Sequence, residues 1–140
     1  MKKNQLEDNK LSGDRIEEFT QDGRSFMYLD FSYIKTNEDL NKIMEMAKTK
    51  IAAYSGQSLY TISNIGHMRL DLKTKELAME YLRHNTPYVK SAALIGLDGI
   101  KKVMINRVIK LSGRKNISFA YSKEQAIQLL IQQDYAEQDS

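Results

Sequence analysis

The turn Gly96-Leu97-Asp98-Gly99, followed at once by Lys101 and Lys102, is the part of this chain best suited to holding an anion. Glycines between a strand and a helix leave backbone amides free to face an oxyanion, and lysines one turn away add positive charge. Arg107, Lys110 and Arg114 extend the positive character downstream. A nucleotide, phosphate or other small anion is the ligand class this pattern would take. The spacing matches neither the Gly-x-x-x-x-Gly-Lys-Ser/Thr loop nor the Gly-x-Gly-x-x-Gly fingerprint, and Asp98 would repel an anion placed at the turn. The same four residues also read as a tight turn plus a helix N-cap. A second candidate is Asp71 with Thr74, at the start of a helix. There a threonine can accept phosphate under the favourable dipole, or simply cap the helix.

Other chemistries find no residues. Cysteine is absent, which removes disulfides, thiolate metal sites and a thiol nucleophile, and suits a reducing compartment. His67 and His84 are the only histidines and have no helical i, i+4 partner, so the ligand set of a zinc site is missing. Ser112 closes a helix rather than standing in a nucleophile elbow, and the carboxylates are scattered. We therefore expect no catalysis, no metal and no cofactor.

Charge is local. From Arg83 to Lys115 eight Lys or Arg stand against one acid, Asp98, a balance of +7 within a chain whose net charge is +3. Both ends of the chain are acidic, so an anion-facing surface belongs to this segment. The total is too mild to imply nucleic acid. No apolar run approaches the roughly 18 residues needed to cross a membrane, and the polar start lacks a signal-peptide core, so a cytoplasmic protein is expected.

These residues must be positioned by an α/β domain. Residues 1–13 are polar and read as a flexible leader, residues 14–133 as one domain, and residues 134–140 as a flexible tail. Gln21-Asp22-Gly23 predicts a hairpin turn between two N-terminal strands. Leu40, Ile43, Met44, Ala47 and Ile51 form one helical stripe, with Thr36 and Asp39 as the capping pair. A strand over 58–65, a helix carrying Leu77, Ala78, Tyr81 and Leu82, and an apolar strand over 92–97 follow. The helix over 100–111 is expected to turn Ile100, Val103, Met104, Val108 and Leu111 inward and Lys102, Asn106 and Lys110 outward. A strand over 116–120 and a helix opened by Ser122 and Gln125 complete the order. Alternating strands and helices predict a mostly parallel sheet of four to five strands, with an N-terminal hairpin and four helices.

Tyr28 to Ser32 (YLDFS), Tyr60 to Ile65 (YTISNI), His84 to Lys102 (HNTPYVKSAALIGLDGIKK) and Leu111 to Arg114 (LSGR) carry a resemblance over residues 14–133. The chain resembles the STAS fold of anti-sigma-factor antagonists, and more closely the uncharacterised bacterial proteins grouped with STAS and CRAL-TRIO-like domains. That resemblance implies a STAS-like fold and a non-catalytic regulatory or protein-binding role. It also implies a phosphorylatable serine just after an aspartate at a helix start. Here Asp71 matches the aspartate and Leu72 stands in place of the serine, which leaves Thr74 as the nearby acceptor. Ile95 to Gly99 is also similar to the nucleic-acid loop of KH modules, but that loop is basic and joins two helices, so nucleic acid is not the expected partner. The reading is a regulatory module with a protein partner working through Asp71, Thr74, Lys101, Lys102, Arg107 and Lys110. The alternative is a small-ligand protein for a nucleotide, anion or lipid, using Gly96, Gly99, Lys101 and Arg114.

Overall fold

The computed structural model describes residues 14–138; the expected leader lies outside the described residues. Strands β1 (Ile16–Gln21) and β2 (Arg24–Asp30) pair antiparallel. Asp22 and Gly23 between them take φ of 54° and 72°, the left-handed pair that a two-residue hairpin turn demands. Then follow helix α1 (Asn37–Ile51), β3 (Leu59–Asn64), α2 (Leu72–Asn85), β4 (Val89–Ile95), α3 (Gly99–Ser112), β5 (Ile117–Phe119) and α4 (Lys123–Gln138). The strands lie side by side in the order β1-β2-β3-β4-β5, and every pairing after the first is parallel. The architecture is α/β, a five-stranded mixed sheet with four helices. The expectation of a mostly parallel sheet gives way to a mixed one because β1 runs against β2 at the edge.

The two-residue period of the strands sorts the core into two layers. Met27 and Leu29 of β2, Leu59 of β3, and Val89 and Ala92 of β4 face α1, α2 and α3. Phe26, Tyr60, Ile62, Ala93 and Ile95 face the opposite way and meet Ala126, Ile127 and Leu130 of α4. Helix α1 buries the stripe expected of it, Leu40, Ile43, Met44, Ala47 and Ile51, and the Thr36 side chain accepts from the Asp39 amide.

Two expectations are corrected. Helix α3 buries Val108 and exposes Lys102, Asn106 and Lys110 as expected, but it buries Ile105 and Ile109 in place of Ile100, Val103 and Leu111, which are 78%, 58% and 68% exposed. Apolar residues run nearly all round this helix, so periodicity offered two stripes and the sheet selected the other one. Residues 134–138 of the expected tail are also not loose, because α4 continues to Gln138. Asp134, buried on its inner side, accepts from Arg24 Nε at 2.7 Å, pairs with Lys90 Nζ at 2.9 Å, and accepts from the Tyr60 hydroxyl. It ties the end of α4 to β2, β3 and β4.

Burial alone would raise the Asp134 pKa, but the bonds from Tyr60, Lys90 and Arg24 hold it at about 2. A carboxyl depressed on folding stabilises the native state above its unfolded pKa of about 4 and loses that contribution as pH falls through about 2. We predict that Asp134→Asn is about 2 kcal/mol less stable than the wild type at pH 7, with the gap closing between about pH 4 and about pH 2. Urea melts across that range check it.

Candidate functional site

Asp71 is the N-cap of α2. Its carboxylate accepts from the Thr74 amide and hydroxyl, both at 2.9 Å, and from the Asn37 side-chain amide at 3.2 Å, and it pairs with Arg69 at 2.9 Å. The Thr74 amide and hydroxyl, with Asn37, hold the Asp71 carboxyl down at about 2. Thr74 is fully buried, and its hydroxyl also reaches Asn37 Oδ1 at 2.8 Å. This corrects Thr74 as an accessible phosphate acceptor: a kinase would have to unpack the first turn of α2 to reach it. The cluster ties α1 to α2 across the start of the helix. Leu72 is 74% exposed.

The glycine turn does different work from anion binding. Gly96 has φ of 90°, and a Cβ there would lie 2.6 Å from both the Asn64 side-chain oxygen and the Gly66 amide. Glycine is required because the loop leaving β3 touches the loop leaving β4. Asp98 is the N-cap of α3, and its carboxylate takes the Lys101 amide at 3.0 Å. An amide that would have faced an anion is thereby occupied. Gly99 begins α3 with open space around it.

The remaining basic residues divide. Lys102, Arg107 and Lys110 are exposed on α3, and Lys101 is half-buried beside them. None of the four forms an ion pair among the described residues. Lys102 sits over the Phe119 ring at 4.9 Å. Arg114 is not part of this face. It is only 6% exposed, and its guanidinium donates to Asn116 Oδ1 at 2.8 Å and to the Leu82 carbonyl at 3.2 Å.

Two features escaped the sequence. A groove of about 540 Å³ runs between α2 and α3, with Leu72, Met79, Met104 and Leu111 along it and Arg83, Arg107, Glu76 and Glu80 at its sides. The exposed Ile100 and Val103 continue its apolar character along α3. Beneath those helices lies a cavity of about 70 Å³ against the sheet, with Thr61, Ser63, Tyr81, Asn85 and Arg114 among otherwise mostly apolar walls. The Tyr81 hydroxyl is buried and has no hydrogen-bond partner. Burial pushes its pKa up, opposed by Asn85 and by the positive field of Arg114. The two small hydroxyl residues at alternate positions of β3 were the available signal for a void at the centre of the sheet.

The histidines are apart from both features. His67 is exposed and stacks on Tyr33 with ring centroids 4.5 Å apart, and His84 Nδ1 bonds Asn85 Oδ1. Among the described residues no group of His, Asp and Glu could hold a metal ion, and no helix is long and apolar enough to cross a membrane.

Fold and site together define an α/β protein with three helices on one face of a mixed sheet, a basic and apolar outer helix face, and a mostly apolar void with a few polar groups beneath it. Compared with models of known families, with curated proteins and with solved structures, the chain matches none.

A buried donor without an acceptor costs about 1–3 kcal/mol. Tyr81→Phe, prepared ligand-free by refolding from denaturant, is predicted to be more stable than the wild type by that amount. Thermal melts of the two proteins check it.

Proposed function

We propose that this chain is a non-catalytic regulatory module of STAS-like type, acting in the bacterial cytoplasm, whose outer α2–α3 face docks an acidic amphipathic helix of a partner protein. The observation that carries the reading is the groove between α2 and α3, lined by Leu72, Met79, Met104 and Leu111 with Arg83 and Arg107, and continued on α3 by the exposed Ile100 and Val103. Scattered exposed apolar residues are ordinary, but a contiguous groove rimmed by charge is the usual form of an interaction surface. An amphipathic helix fills such a groove with residues spaced i, i+3, i+4 and i+7. Acidic residues on its flanks would meet Lys75, Arg83 and Arg107, adding attraction and register. The exposed Leu72 also replaces the serine of the STAS switch, so we propose docking without phosphorylation at that position.

A second reading, a small-ligand protein, draws on the mostly apolar cavity beneath the helices and the Arg114 beside it, not on Gly96, Gly99 and Lys101.

Native mass spectrometry of the protein purified gently from its own host supplies the partner for the test. The charge variant Arg107→Glu/Lys110→Glu and the apolar variant Leu72→Asp/Ile100→Asp are both expected to keep the wild-type melting temperature, since all four side chains are exposed. Each is expected to weaken the complex at least about tenfold, the charge variant with a shallower salt dependence. Unchanged affinity in both variants contradicts the reading.

A further inference from the structure

We propose that the void between the sheet and helices α2 and α3 is a binding site for a small aliphatic monocarboxylate, its head group held by Arg114 and Tyr81. The inference is independent of the docking face, which lies on the opposite side of the same helices. Three observations on different atoms converge here.

First, Arg114 carries a permanent charge, is almost wholly buried, and has no carboxylate partner among the described residues. Neutral oxygens of Asn116 and Leu82 take two of its bonds, but a guanidinium has five N–H donors, and a buried charge without a counter-ion is costly. Second, Tyr81 lines the same cavity, and its buried hydroxyl, beside the Asn85 side chain, has no acceptor for its proton. A carboxylate supplies what both groups lack: negative charge for the guanidinium and an acceptor for the hydroxyl. Third, the walls beyond these groups are apolar, formed by Leu94, Ile105, Val108, Ile109 and Ile117. Inorganic phosphate would leave those walls unfilled, whereas a short hydrocarbon tail covers them.

Size narrows the class. A cavity of about 70 Å³ is several times what one water requires, yet too small for a long acyl chain without parting the helices. Acids of a few carbons fit that description. Arg114 also borders an outer cleft of about 340 Å³, together with Lys90, Lys115 and Thr86. It therefore stands in the wall between the surface and the void, with Lys115 on the outer side to attract an anion while Lys90 is paired with Asp134.

The test is isothermal titration calorimetry of the refolded, ligand-free full chain with sodium butyrate, at ionic strength held constant with chloride, and with 1-butanol as the uncharged control. Methyl NMR in the same titration locates the site. Butyrate is expected to bind saturably, to shift the methyls of Leu94, Ile105 and Ile109, and to bind at least about tenfold more tightly than butanol. Tyr81→Phe is expected to weaken butyrate about tenfold and butanol by less, since the alcohol oxygen accepts the same hydrogen bond without the charge. Arg114→Gln should remove the preference for the acid, and because that variant risks misfolding, Tyr81→Phe carries the decision. The proposal is overturned by absence of saturable butyrate binding, by equal affinity for acid and alcohol, by unchanged affinity in Tyr81→Phe, or by shifts confined to the surface of α3.

Discussion

Small side chains at the middle of the sheet govern how the rest of this molecule is arranged. Thr61, Ser63 and Ala92 lie on adjacent parallel strands and face the layer formed by α1, α2 and α3. Larger residues there would fill the space beneath α2 and α3; these leave it partly open, walled by Tyr81, Ile105, Val108 and Ile109. The helices bury one side against this floor, and each other only in part. Their outer sides are left with apolar groups and cations that the domain itself does not cover.

The opposite face shows the contrast. There α4 alone covers the sheet, and its fit is completed by a polar clamp. Asp134 collects Arg24, Lys90 and Tyr60 at one point, and because those residues sit on three neighbouring strands the clamp also fixes the sheet laterally. Every charge in it has a partner of opposite sign. Arg114, on the other side, has only neutral acceptors. A protein that satisfies one buried charge fully and leaves another with no counter-ion presents an asymmetry that a bound anion would remove.

Much of the architecture could be read from the residues because the signals were local. The Asp-Gly turn, the α1 stripe and the Asp98 cap each depend on neighbours within one turn or one strand pair, and each formed where expected. The face of α3 was not legible in this way. Its apolar residues support two stripes, and only the packing of β4 and α2 against it decides that Ile105, Val108 and Ile109 go inward. The burial of Arg114 was not legible for a related reason: a basic residue after a helix reads as surface, but the chain turns back toward β5 and carries it beneath the C-terminal end of α2. Thr74 lay where a switch residue would be, and its burial depends on Asn37, far away in sequence. Long-range contacts of this kind leave no periodic trace.

The account stands on the outer face of α2 and α3 being a docking surface. Its most direct test is site-specific photocrosslinking in the native host, with a benzophenone side chain in place of Val103 or, as a control on exposed α1, in place of Asn41. The account predicts one discrete crosslinked product from position 103, to an acidic helical segment of a partner, and none from position 41. Crosslinking from position 41 with none from position 103 would contradict it.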